Sequence, residues 1–76
     1  MLTLEYLNKA GDVIVRDYFD NHDELALLVK SLISTYRHDD SSKVYGLNMV
    51  EADGTETLLW ERWDGTKLCR FYYQDL

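Results

Sequence analysis

One cysteine stands among 76 residues, and there is no proline. Cys69 therefore has no partner for an internal disulfide, and it and the two histidines, His22 and His38, are too scattered to show the paired spacings that hold zinc. Glycine occurs four times, and every one except Gly46 sits in a turn signal, so no glycine-rich loop is available to cradle a phosphate. Cations are few: 8 Lys and Arg against 14 Asp and Glu give a net charge of −6 and a pI near 4.6. Such a chain repels a nucleic-acid backbone, whose binding depends on Lys and Arg neutralising phosphates, and suits a protein partner with a basic surface. Long apolar runs are also missing. The stretch from Leu25 to Ile33 is broken by Lys30 and Ser31, far short of the roughly 20 residues that span a bilayer. No basic region followed by an apolar run and a small-residue cleavage site opens the sequence. The expectation is a cytoplasmic protein without membrane anchor, metal or cofactor.

What remains is the composition of a folded domain. Hydrophobic residues make up 46% and charged residues 29%, with no low-complexity tract, which separates the chain from disordered sequences. A mass of 9.0 kDa permits one core, so residues 1–76 read as a single domain of modest stability.

Turn residues divide the chain. Asn8-Lys9-Ala10-Gly11 has Asn at the first and Gly at the fourth position of a type I turn closed by a left-handed residue, and joins a strand at Leu2–Leu7 to one at Asp12–Phe19. Pairing outward from that turn sets Leu2, Leu4 and Tyr6 opposite Tyr18, Arg16 and Ile14 on a core face. Thr3, Glu5 and Leu7 then lie opposite Asp17, Val15 and Val13 on the other face. Beyond Phe19 the hydrophobic period becomes 3.6, and Leu25, Leu28, Val29, Leu32, Ile33 and Tyr36 form one helical stripe. Asn21 and Glu24 have capping-box spacing, Asp23 and Glu24 suit the helix start, and Arg37 and His38 suit its end before Asp39-Asp40-Ser41-Ser42. Leu27 falls opposite the stripe and is expected in solvent.

The remainder reads as a meander of Lys43–Val50, Glu56–Trp63 and Thr66–Tyr73, joined at Asp53-Gly54 and Asp64-Gly65, a dipeptide that favours two-residue hairpin turns. With two-residue turns one face collects Tyr45, Leu47, Met49, Leu58, Trp60, Cys69, Phe71 and Tyr73. A register with a bulge at Asp53-Gly54 would instead place Thr57 and Glu61 among them, and the hydrophobic pattern favours the former. The predicted architecture is α+β, ββαβββ, with one helix packed on an antiparallel sheet of about five strands.

Two surfaces stand out. Away from the helix the expected register exposes Val44, Val50, Leu59, Trp63, Leu68 and Tyr72, with Asn48, Glu61 and Arg70 between them. An apolar face of this kind is a candidate partner or homodimer interface, carried by Leu59, Glu61, Trp63, Leu68, Arg70 and Tyr72. Aromatics on an open sheet also occur in single-strand nucleic-acid binders, but the charge opposes that use and the basic context of the RNA-recognition module is missing. The second surface is acidic: Asp17, Asp20, Asp23 and Glu24 near the helix start, Asp39 and Asp40 after its end, and Glu51, Asp53 and Glu56 at a hairpin tip. Solvated turns and helix caps account for such residues in most proteins; the functional alternative is an acidic rim that engages a basic groove and mimics nucleic-acid phosphates.

No catalytic constellation accompanies these surfaces. Cys69 falls on the expected core face, where a small hydrophobe is its usual role. Asp17, Asp20 and Asp23 repeat every third residue without forming a calcium loop. A His38 beside Asp39 and Asp40 suits a helix C-terminus better than acid–base work. The chain is therefore read as a non-enzyme. In size, acidity and expected shape it resembles the small inhibitors that phages and mobile elements encode against host enzymes and defence complexes, anti-CRISPR and DNA-mimic proteins among them. That resemblance implies inhibition or regulation by occupying a partner's surface, and no family motif accompanies it. The alternative is a homodimeric structural or regulatory protein using its apolar sheet face.

Overall fold

A computed structural model describes residues 1–36, 43–62 and the backbone of 69–71. It shows an α+β domain of one helix on an antiparallel sheet. The elements are β1 (Leu2–Leu7), β2 (Val13–Phe19), α1 (His22–Tyr36), β3 (Gly46–Val50), β4 (Glu56–Arg62) and β5 (Cys69–Phe71). The sheet order is β2-β1-β3-β4-β5, with every neighbouring pair antiparallel. The connection through α1 thus carries the chain from the edge strand β2 past β1 to β3.

The first turn forms as its residues dictate. Gly11 donates to the Asn8 carbonyl at 3.0 Å and takes φ of 89°, a conformation free of cost only without a Cβ. The Asn8 side chain accepts from the amides of Ala10 and Asp12. Beyond the turn the expected pairing fails. Leu7 faces Val13, but Tyr6 faces Val15, Leu4 faces Asp17 and Leu2 faces Phe19, because Ile14 is an extra residue that shifts the register. Leu2, Leu4 and Tyr6 do face the helix; their partners there are Phe19, Asp17 and Val15. Ile14, Arg16 and Tyr18, expected in the core, are exposed.

On the other side β1 pairs with β3, Leu4 facing Met49 and Tyr6 facing Leu47. The β3–β4 turn is a second copy of the first geometry rather than a two-residue turn. Gly54 donates to the Glu51 carbonyl at φ of 91°, and Glu51 and Thr55 close the loop. That register places Thr57 opposite Met49 on the helix side, as the disfavoured alternative required. Glu61 does not follow it inward. Leu59 is an extra residue between the pairs Asn48–Leu58 and Leu47–Trp60, so the bulge returns Trp60 to the core face and Glu61 to the outer one. Leu58 accordingly lies on the outer side, whereas Leu59 is completely buried, the reverse of the sequence expectation. In β5 Phe71 pairs with Trp60, Arg70 with Glu61 and Cys69 with Arg62, two residues out of step with a two-residue turn at Asp64-Gly65.

Helix α1 begins where its cap says it should: the Asn21 side chain accepts from the Glu24 amide at 3.0 Å. Leu25 and Val29 are fully buried, Leu28, Leu32, Ile33 and Tyr36 pack around them, and Leu27 is 72% exposed. The helix stripe closes over Leu2, Leu4, Tyr6, Leu47, Met49, Leu59 and Trp60. Tyr36 stacks on Trp60, ring centroids 6.1 Å apart. Val44, expected on the outer face, belongs to this core.

Candidate partner-binding surfaces

The register sets the outer face of the sheet as three rows running across the strands. The first is Tyr18, Thr3, Val50 and Glu56; the second Arg16, Glu5, Asn48 and Leu58; the third Val13, Leu7, Gly46, Glu61 and the backbone position of Arg70. A polar chain occupies the middle. Arg16 Nε lies 3.2 Å from Glu5 Oε2, and Asn48 Nδ2 donates to Glu5 Oε1 at 3.2 Å and to Glu56 Oε1 at 3.1 Å. Four strands are thereby linked through side chains, and the apolar residues Leu7, Val13, Val50 and Leu58 are divided by charge. Of the sheet-face candidates, Glu61 lies on this face and Leu59 does not, being wholly buried. Trp63, Leu68, Tyr72 and the side chain of Arg70 lie outside the described residues.

The acidic candidates separate into a cluster and an outlier. Residues 19–24 and 50–56 meet at the end of the sheet where β2 and β3 finish, and His22 Nε2 lies 3.2 Å from Glu51 Oε1 between them. This brings Asp20, Asp23 and Glu24 to the same end as Glu51, Asp53 and Glu56, with no Lys or Arg in either segment. Asp20, Asp23, Glu24, Asp53 and Glu56 are exposed and Glu51 is half-buried. The Thr55 amide, donating at 2.9 Å, holds the Asp53 carboxyl below its ordinary range.

Asp17 is the outlier. It sits in the middle of edge strand β2, on the helix side, where its Oδ2 accepts from the Tyr6 hydroxyl at 2.7 Å. An inward-facing charge and a bulge, both present in β2, are devices that discourage an edge strand from adding a further strand. Asp39 and Asp40 lie outside the described residues. Among the described residues no group of three or more His, Cys, Asp or Glu is placed to hold a metal ion, and no helix is long and apolar enough to cross a membrane.

Sequence reasoning missed the Tyr6–Asp17 bond, which depends on the bulge at Ile14, and the bridging role of Asn48, which depends on the β1–β3 pairing and on the turn that sets β3 against β4. Gly46 lies within β3, where a Cβ would stand 3.4 Å from Leu7 Cδ1. No family model, no curated protein and no solved structure matches the chain.

Proposed function

We propose that this protein is an acidic protein-binding module that inhibits or regulates a partner by occupying a basic surface, with the acidic end of the sheet as the contact. The juxtaposition of residues 19–24 with 50–56 through His22 and Glu51 carries this reading. Two segments distant in sequence, neither containing a Lys or Arg, contribute Asp20, Asp23, Glu24, Glu51, Asp53 and Glu56 to one end. A one-signed field of that kind raises the association rate with an oppositely charged patch and discriminates against acidic competitors. A surface that ordinarily receives nucleic-acid phosphates is the natural target, which makes a nucleic-acid-handling or defence complex the partner class and a phage or mobile element a fitting source. The action is binding without catalysis.

Affinity capture from a lysate of the host, at low and moderate salt, tests the reading. Wild type is compared with the triple variant Asp20→Asn, Asp23→Asn, Asp53→Asn, in which the amide at position 53 keeps the side-chain oxygen that accepts from Thr55 and the Asn21 cap is untouched. Capture of a basic complex by wild type, weakened by added salt and by the triple variant, supports the proposal. Capture that is indifferent to both removes the acidic end from the interface. Trp63→Lys provides the arm for the sheet face, and a mass that doubles with concentration and is halved by Trp63→Lys would favour the self-associating alternative.

A further inference from the structure

Strand β2 is an edge of the sheet, and it carries three of the large apolar side chains that stand exposed among the described residues, Ile14, Val15 and Tyr18. The Asn8 amide donates to the Asp12 carbonyl, which makes those two a hydrogen-bonded pair of the hairpin. Counting along the ladder from there, through the bulge at Ile14, Asp17 and Phe19 bond to β1 opposite Leu4 and Leu2. Arg16 and Tyr18 face Glu5 and Thr3 in the alternate, non-hydrogen-bonded positions. The N–H and C=O groups of Arg16 and Tyr18 therefore point away from the sheet, a template on which a further strand can form.

A strand that every encounter between two molecules supplies is β2 of a second copy. Two-fold antiparallel pairing must set outward-pointing residues against outward-pointing residues, which limits the registers. Centring on Arg16 sets one guanidinium against another, and centring nearer the start of β2 meets the bulge. Centring on Tyr18 overlaps only Asp17–Phe19 of each strand. Centring on Asp17 overlaps Val15–Phe19 and is favourable at every other position, because Arg16 then lies against the ring of Tyr18 and Val15 against Phe19 on both sides of the axis. Only the central pair opposes it. Two Asp17 carboxylates would meet directly at a non-hydrogen-bonded position, where Cα atoms stand about 4.5 Å apart and like charges repel most. The Tyr6 hydroxyl, donating at 2.7 Å, holds each carboxylate on that side of the strand. We propose that Asp17 keeps β2 from pairing with its counterpart in a second copy, so that removing this one charge turns the chain into a dimer with a continuous sheet. The role is independent of the acidic end.

Sedimentation velocity of the full chain over a wide range of concentrations tests this. Two variants remove the charge: Asp17→Asn leaves an oxygen to accept from Tyr6, and Asp17→Thr suits a strand better. Each is expected to self-associate at least about tenfold more tightly than wild type. Adding Tyr18→Pro to either removes an N–H that β1 does not use and is expected to return the mass to that of wild type. Self-association no tighter than wild type in both variants, or undiminished by Tyr18→Pro, overturns the proposal. Hydrogen exchange on wild type adds a measurement that needs no substitution: the Arg16 and Tyr18 amides are expected to exchange fast at every concentration and the Asp17 amide slowly. Protection at Arg16 and Tyr18 that grows with concentration would show β2 already paired despite Asp17, and overturns the proposal whether or not the variants fold.

Discussion

The Tyr6 hydroxyl donates a 2.7 Å hydrogen bond to the Asp17 carboxylate diagonally across the β1–β2 pair. Burial, this bond and the Asp17 charge all push the Tyr6 phenol well above its ordinary value of 10.0, and burial with the same charge raises Tyr36. Both groups are neutral in the folded protein at neutral pH. Since their folded values are raised, the stability they contribute is fully present below about pH 10 and is lost as pH climbs above it, where the unfolded chain releases the protons first. Urea midpoints should therefore fall progressively above about pH 10, and Tyr6→Phe should make that fall shallower. At neutral pH the same variant should cost about 1 kcal/mol. An alkaline limb as steep in Tyr6→Phe as in wild type would contradict the assignment.

Leu58 and Leu59 are adjacent, chemically identical, and placed on opposite sides of the sheet by strand alternation in the register that the Glu51–Thr55 turn sets. Leu59→Ala should cost about 2–5 kcal/mol, a large part of the total stability of a domain this size. Leu58→Ala, at a half-buried outer position, should cost less than about 1 kcal/mol. Denaturant unfolding of both variants gives the order directly, and the reverse order would mean that the two-residue turn and its register hold after all.

That pair also shows where sequence legibility ended. The helix was readable from its period and its Asn21 cap, and β1 from strict alternation, because each depends on local rules that burial reinforces. The Asn8–Gly11 turn was readable because Asn and Gly occupy the two positions its geometry needs. Two bulges were not readable. Ile14 and Leu59 each sit inside an apolar run, Val13-Ile14-Val15 and Leu58-Leu59-Trp60, in which a slip of one residue exchanges one hydrophobe for another. Hydrophobic pattern fixes register only where neighbours differ in polarity. The acidic residues could be counted from sequence, but their meeting at one end depends on the β2-β1-β3 strand order, which no local signal encodes.

Gly54 provides a test of the second turn that separates backbone strain from packing. Its φ is 91°, and a Cβ there would meet nothing within 4 Å. Gly54→Ala should thus destabilise by about 1–2 kcal/mol through backbone strain alone. D-alanine at the same position, introduced by chemical synthesis, accepts that φ and restricts the unfolded chain, so it should be neutral or stabilise by up to about 1 kcal/mol. Equal destabilisation by both enantiomers would indicate a different turn.

Asp20 separates the functional reading of the acidic end from a structural one. It is exposed, follows β2, and lies on the helix-start segment that His22 links to Glu51. Solvated carboxylates crowded at one end repel one another, so Asp20→Lys should leave the melting temperature unchanged or raise it slightly, within about 0.5 kcal/mol. If the end serves to engage a basic partner, the same substitution should slow association, with the largest difference from wild type at low salt and convergence as salt screens both. Thermal melts and association rates measured on one preparation give both quantities. A variant that is more stable and associates as fast as wild type would leave the acidic residues with only the solvation of turns and helix start to explain them. A variant that is more stable and slower would show that the charge is retained at the expense of stability, as expected of a surface kept for binding.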